Sequence, residues 1–223
     1  MSFAEVGIAS TPLPARYSVA EEIASSVIHA IGIVLSIAGL VVLVELATLR
    51  GDGWDIGASI VYGSSLIVLF TASTLYHGIP NARAKEVLRL IDHSAIFLLI
   101  AGSYTPYTLI SLRGPWGYTL FAIVWTLALI GITMEFLAVR RRSIRIGLYL
   151  GMGWIGLVAF NPLIDSLSSA GLSLLVASGL CYTLGIPFYL WKRLPYNHAL
   201  WHVFVLVGSA LQFFTVLLYV LPR

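Results

Sequence analysis

Charge is what this chain has least of. Only 10% of its 223 residues are charged, while 59% are hydrophobic. An ordinary soluble domain carries about 25% charged residues. So few charges cannot give a molecule of this size a surface suited to water, which excludes a large soluble helical core. Apolar stretches of roughly 20 residues, the length that crosses a bilayer, recur from end to end. Cysteine is nearly missing as well. Cys181 stands alone inside an apolar segment, so no intrachain disulfide is possible and the residue reads as packing. A secretory leader is not expected, because the first apolar run is too long and follows Glu21 and Glu22 rather than a basic cluster. No long linker, internal repeat or low-complexity tract divides the chain.

What is present reads as an all-α integral membrane protein with seven transmembrane helices. The expected spans are 23–49, 57–79, 88–111, 116–138, 144–163, 169–191 and 199–221. Turn-forming residues mark the breaks: Gly51-Asp52-Gly53, Gly78-Ile79-Pro80-Asn81, Gly114-Pro115, Asn161-Pro162 and Leu194-Pro195. Residues 1–22 are expected to form a cytoplasmic tail and 23–223 the membrane domain. With the N-terminus inside, the cytoplasmic segments hold Arg16, Arg83, Lys85, Arg89, Arg140, Arg141, Arg142, Arg145, Lys192 and Arg193. That is ten of the thirteen basic residues. The excess of basic residues on one side predicts N-terminus in and C-terminus out. The basic isoelectric point therefore reads as topology and not as a nucleic-acid surface, although Arg140–Arg145 would also suit anionic headgroups.

The five histidines are His29, His77, His93, His198 and His202. On the expected topology all of them fall near the inner leaflet, at the ends of spans one, two, three and seven. His198 and His202 are four apart, as are Ser73 and His77, so each pair shares a helix face. His77, His198 and His202 together would make a tripod for Zn²⁺ with an open fourth position, the arrangement of a catalytic site. Zinc so held lowers the pKa of water to near 7. Asp92 is the candidate general base, or alternatively the group that orients a ligand imidazole. Pairing with Arg89 is its competing role. Ser73 is read equally as a hydrogen-bonding partner of the reacting carbonyl or of water at the metal and as a helix-packing residue. His29 is read equally as a supporting residue, with Glu22, Ser25 and Ser26 as its expected partners, and as a packing residue. His93 is read as interfacial or structural. Glu45 and Glu135 are read as reaching headgroups, and no broken helix pair of the transporter kind is expected.

Three runs resemble motifs of one family. Glu21-Glu22-Ile23-Ala24-Ser25-Ser26-Val27-Ile28-His29 is similar to the first motif of the hemolysin III branch of the progestin and adipoQ receptor superfamily. Ser73-Thr74-Leu75-Tyr76-His77 with Leu90-Ile91-Asp92-His93 resembles the second, and His198-Ala199-Leu200-Trp201-His202 the third. Ser25 or Ser26 stands where relatives carry asparagine, and Ile28 where threonine is frequent. The resemblance implies a seven-helix bundle with zinc held at His77, His198 and His202, and Asp92 contacting water at the metal. It also implies a bacterial cell membrane as the location. Because the superfamily is similar to alkaline ceramidases, the leading expectation is zinc-dependent hydrolysis of a lipid-like amide or ester. A receptor-like sensor of membrane lipid with a structural zinc, and a pore-forming hemolysin, remain alternatives. Membrane lipids are the expected partners. The sequence leaves the oligomeric state open, with Gly147, Gly151 and Gly156 available for packing within or between molecules.

Overall fold

Short polar side chains set where the helices begin. In the computed structural model, which describes residues 17–137 and 142–221, Ser18 caps helix α1 (Val19–Arg50) through a reciprocal bond with Glu21. Asp52 caps α2 (Gly53–Gly78) in the same way with Asp55, and the Asn81 side chain accepts from the Ala84 N–H at the start of α3 (Ala82–Pro106). Each cap satisfies backbone donors that the first turn leaves open. These caps start the first three helices about four to six residues before the apolar pattern does, which corrects the expected limits. Pro106 lacks the N–H that would continue the ladder, and α3 runs on as a wider π-turn over Tyr107–Ser111. Helix α4 is Pro115–Phe136, entered through Gly114 at φ 140°.

The fifth span is broken. Helix α5 (Arg142–Trp154) tightens into a 3-10 segment at Ile155–Ala159 and resumes as α6 (Phe160–Ser166). Asn161-Pro162, expected to end this span, instead lies in the first turn of α6, where a missing N–H costs nothing. Helices α7 (Ser169–Leu190) and α8 (Asn197–Thr215, continued to Val220) complete the chain. Among the described residues, seven helical stretches are long and apolar enough to cross a membrane, with α5 and α6 forming one of them. The protein is an all-helical membrane protein. Of the tail expected at residues 1–22, residues 1–16 lie outside the described residues, as do Arg140, Arg141 and Arg223 of the charge count, while Val19–Glu22 form the capped first turn of α1.

Packing follows from small side chains. The inward face of α1 carries Ser25, His29, Gly32, Ser36, Gly39, Leu43 and Ala47, at steps of three and four residues. This stripe lets neighbouring helices approach closely. A methyl group on Gly32 would strike Phe70 of α2 at 2.6 Å, one on Gly39 would strike Phe213 of α8 at 2.8 Å, and one on Gly63 would strike Leu40 at 2.6 Å. Helix α1 is thereby clamped between α2 and α8, the two helices that carry the paired histidines.

Candidate metal centre

His77 ends α2, while His198 and His202 occupy the first turns of α8. One ligand atom from each of the three lies within 4.8 Å of the others, and all three residues are buried. The Nε2 atoms of His77 and His198 are 3.2 Å apart. Two nitrogens bound tetrahedrally to zinc at 2.0–2.1 Å would stand about 3.3 Å apart.

The outer nitrogens support the same arrangement. His77 Nδ1 is 2.6 Å from Glu22 Oε2, and the other oxygen of Glu22 accepts from Lys85 Nζ at 2.6 Å. His202 Nδ1 is 3.2 Å from the Ser25 carbonyl oxygen. A carbonyl only accepts, so this Nδ1 carries the proton, and a neutral ring then presents a bare Nε2. Both rings thus have the outward hydrogen bond that fixes a metal-binding imidazole. The donor set is three imidazole nitrogens without a thiolate, which suits a borderline ion such as zinc.

The other expected residues fall around this point. His29 stacks on His202 with ring centroids 3.7 Å apart, and neither of its nitrogens has a hydrogen-bond partner among the described residues. Its expected partners are engaged elsewhere: Glu22 with His77 and Lys85, the Ser25 carbonyl with His202, and the Ser26 hydroxyl with the Thr74 carbonyl at 3.1 Å. Glu22 therefore supports His77 and not His29, because α1 presents it toward the end of α2. Asp92 is buried outside the three-nitrogen group and lines one cavity with His29, His198 and His202. The Ser73 hydroxyl stands beside the Asp92 carboxyl, without a hydrogen bond of ordinary geometry among the described residues. No ion pair joins Asp92 to Arg89 among the described residues.

One cluster was not anticipated. Glu135, expected to reach headgroups, is only 4% exposed; it accepts from Arg145 Nη1 at 3.0 Å and lies 3.6 Å from His93 Nδ1. Tyr149 donates to the His93 carbonyl at 2.9 Å. A carboxylate in an apolar span calls for a buried partner, and that rule, applied to Glu135, was the available signal. The ion pair ties α3, α4 and α5 together beside Asp92.

The cavity holds about 230 Å³ and runs from the histidines toward the opposite end of the bundle, between α3, the broken fifth span, α7 and α8. Most of its wall is apolar, including Leu99, Ile100, Leu150, Leu172, Leu175 and Val205. Polar groups are concentrated at the histidine end, with fewer along its length.

A family model described as "Haemolysin-III related" matches residues 17–213. The chain belongs to this family. It is 49% identical to "Hemolysin-3" of Bacillus cereus over 205 residues, covering 92% of this chain and 94% of that protein. It is 47% identical to the "Hemolysin-3 homolog" of Bacillus subtilis over 204 residues, or 91% and 96% of the two chains. The human "Monocyte to macrophage differentiation factor" is 29% identical over 206 residues, 88% of this chain and 83% of the relative. The matched region of this haemolysin-III relative takes in Glu22, His77, Asp92, His198 and His202.

Proposed function

We propose that this haemolysin-III relative is a zinc-dependent intramembrane hydrolase of a lipid-like amide or ester. The observation that carries this reading is that two of the three grouped histidines, His198 and His202, line an apolar cavity that also contains a buried carboxyl, Asp92. His77, His198 and His202 hold the ion. Bound there, zinc supplies Lewis acidity for a carbonyl and brings the pKa of water into the neutral range. Glu22 and the Ser25 carbonyl fix the two rings they touch. Asp92 takes a proton from attacking water and returns it to the leaving group. Ser73, beside Asp92, donates to the carboxylate or to the reacting carbonyl. The apolar wall receives an acyl chain and keeps bulk water away from the reacting group. The excess of basic residues in the loops at this end supports a site at the cytoplasmic leaflet.

The test uses purified full-length protein with three measurements: zinc content, hydrolysis of ceramide-like and acyl-amide substrates, and lipid profiles of expressing cells. His202→Ala should lose both metal and turnover. Asp92→Ala should retain metal and lose turnover. Unchanged turnover and lipid profiles in both variants would overturn the hydrolase reading.

A further inference from the structure

The cavity has a second polar region. From His202 to Gln212 is ten residues along α8, or about 15 Å at helical rise. At that depth Ser103, Tyr107, Tyr182 and Gln212 all contribute to the cavity wall. Gln212 is 7% exposed; its Oε1 accepts from Ser178 at 3.2 Å, and its Nε2 has only a 3.5 Å contact to the Ser103 carbonyl. Tyr182 and Ser209 share a 2.9 Å hydrogen bond. Tyr107 is 3% exposed, and among the described residues its hydroxyl has no hydrogen-bond partner of ordinary geometry, although Thr215 stands near it. The Tyr62 hydroxyl, close to Tyr107 and Tyr182, also has no partner among the described residues.

An apolar tail alone does not account for this wall. Buried phenols and amides in proteins are overwhelmingly hydrogen-bonded, and the hydrocarbon core of a membrane offers no water to satisfy them. A plain alkyl chain filling the cavity would leave one Gln212 N–H, and the Tyr107 hydroxyl buried in the wall, without a partner of ordinary geometry. An oxygen carried on the chain at that depth would give both a partner. Tyr107 and the Gln212 amide group can each donate to it, and Gln212 can also accept through its second lone pair.

We infer that this region is a second subsite, which takes a hydrogen-bonding oxygen on the tail of the bound lipid, a mid-chain hydroxyl being the simplest. An extended chain with its head at the histidines reaches it after about a dozen carbons. The inference rests on the part of the proposed function that puts an acyl chain in the cavity, and its test needs no turnover.

The test uses the full-length protein in nanodiscs, with displacement of fluorescent parinaric acid by stearate, 2-hydroxystearate and 12-hydroxystearate. The 12-hydroxy acid should bind roughly five-fold tighter than stearate, the gain of one net hydrogen bond. Tyr107→Phe keeps the ring and should reduce that preference, and Gln212→Leu should abolish it. Neither should alter the affinity of 2-hydroxystearate relative to stearate, because its hydroxyl stays near the head. Equal affinities of stearate and 12-hydroxystearate for the unmodified protein overturn the subsite, as does a preference unchanged in Tyr107→Phe and in Gln212→Leu. If Gln212→Leu does not fold, the wild-type and Tyr107→Phe comparisons decide. Failure of parinaric acid or either stearate to bind removes the acyl cavity and the subsite together. Equal affinities alongside hydrolysis remove only the subsite, while a preserved preference without hydrolysis removes only the enzyme.

Discussion

The second and fifth spans of this bundle are built differently. More than half of the central part of α2, 56%, is inside the protein, against 11% for the α5–α6 span. Helix α2 is flanked by α1 and α3, and close approach at Gly63 leaves no room for a side chain. The fifth span has open space at Gly147 and Gly151, a 3-10 break at its middle, and a few polar ties to the rest of the bundle. The metal-type histidines draw on the tightly packed region, and the cavity lies along the loosely packed one. A fixed histidine geometry with a thin wall beside it fits the proposed function, in which the site holds an ion and admits a lipid.

Substitution at matched glycines gives the largest contrast. Gly63→Leu forces α2 away from Leu40, whose Cβ and Cα already lie 2.9 and 3.2 Å from where the new Cβ would stand. The expected cost is about 3 kcal/mol, the upper end for overpacking, read as a fall in melting temperature in detergent. Gly151→Leu projects into open space and should change stability by no more than about 0.5 kcal/mol. Equal losses at the two sites would mean that the fifth span is covered in the membrane, for example by a second copy.

A smaller effect should separate ligand support from packing. Glu22→Gln keeps the shape of the side chain but removes the charge shared by His77 and Lys85. Loss of such a support lowers metal affinity by about 10- to 100-fold, measurable by competition with a zinc chelator. Melting of the metal-free protein should hardly move, since the Glu22 side chain is still partly exposed. An unchanged zinc affinity would show that helix packing alone orients the His77 ring.

The loose span has its own tie. The Tyr104 hydroxyl donates to the Gly153 carbonyl at 2.8 Å and accepts from the Gly156 N–H at 3.0 Å, catching two backbone groups freed by the break. Tyr104→Phe should cost about 1–2 kcal/mol for the two bonds. It should also raise amide exchange over residues 153–157 while leaving α2 protected. If exchange rises equally in both spans, the two regions do not unfold separately.

These features differ in how far the sequence showed them. His198 and His202 declare a shared face by their spacing, and the apolar run lengths declare seven spans, because both are local properties. Glu22 is visible in the sequence as a supporting residue, but its spacing points to His29, since nothing local says which neighbour α1 turns it toward. His77 is 55 residues away and Lys85 is 63. The break at Ile155–Ala159 escaped for a similar reason. Proline is the usual local sign of a break, and Pro162 pointed seven residues too late; the group that satisfies the true break, Tyr104, belongs to another span. Arg145 and Glu135 were separately visible as charges, yet topology counting treats basic residues as loop markers and so passes over a buried pair.

The smallest expected effect lies at the end of the bundle away from the histidines, where Arg113, in the turn before α4, donates at 2.6 Å to Asp52, in the turn between α1 and α2. The Arg113 guanidinium, together with the Trp54 N–H, holds the Asp52 carboxyl down to about 2. A depressed carboxyl stabilises the fold above its ordinary pKa, near 3.9, and loses that contribution as pH falls through about 2. Asp52→Asn retains a good capping residue but gives up the ion pair. Its melting temperature should sit slightly below wild type at pH 7, with the gap closing between about pH 4 and pH 2. The same gap should shrink in about 1 M salt, because the pair is exposed and screened. A large gap that persists in salt would mean that the α1–α2 junction depends on this contact, and the tightly packed region would then owe part of its stability to its charged rim as well as to the close approach of its helices.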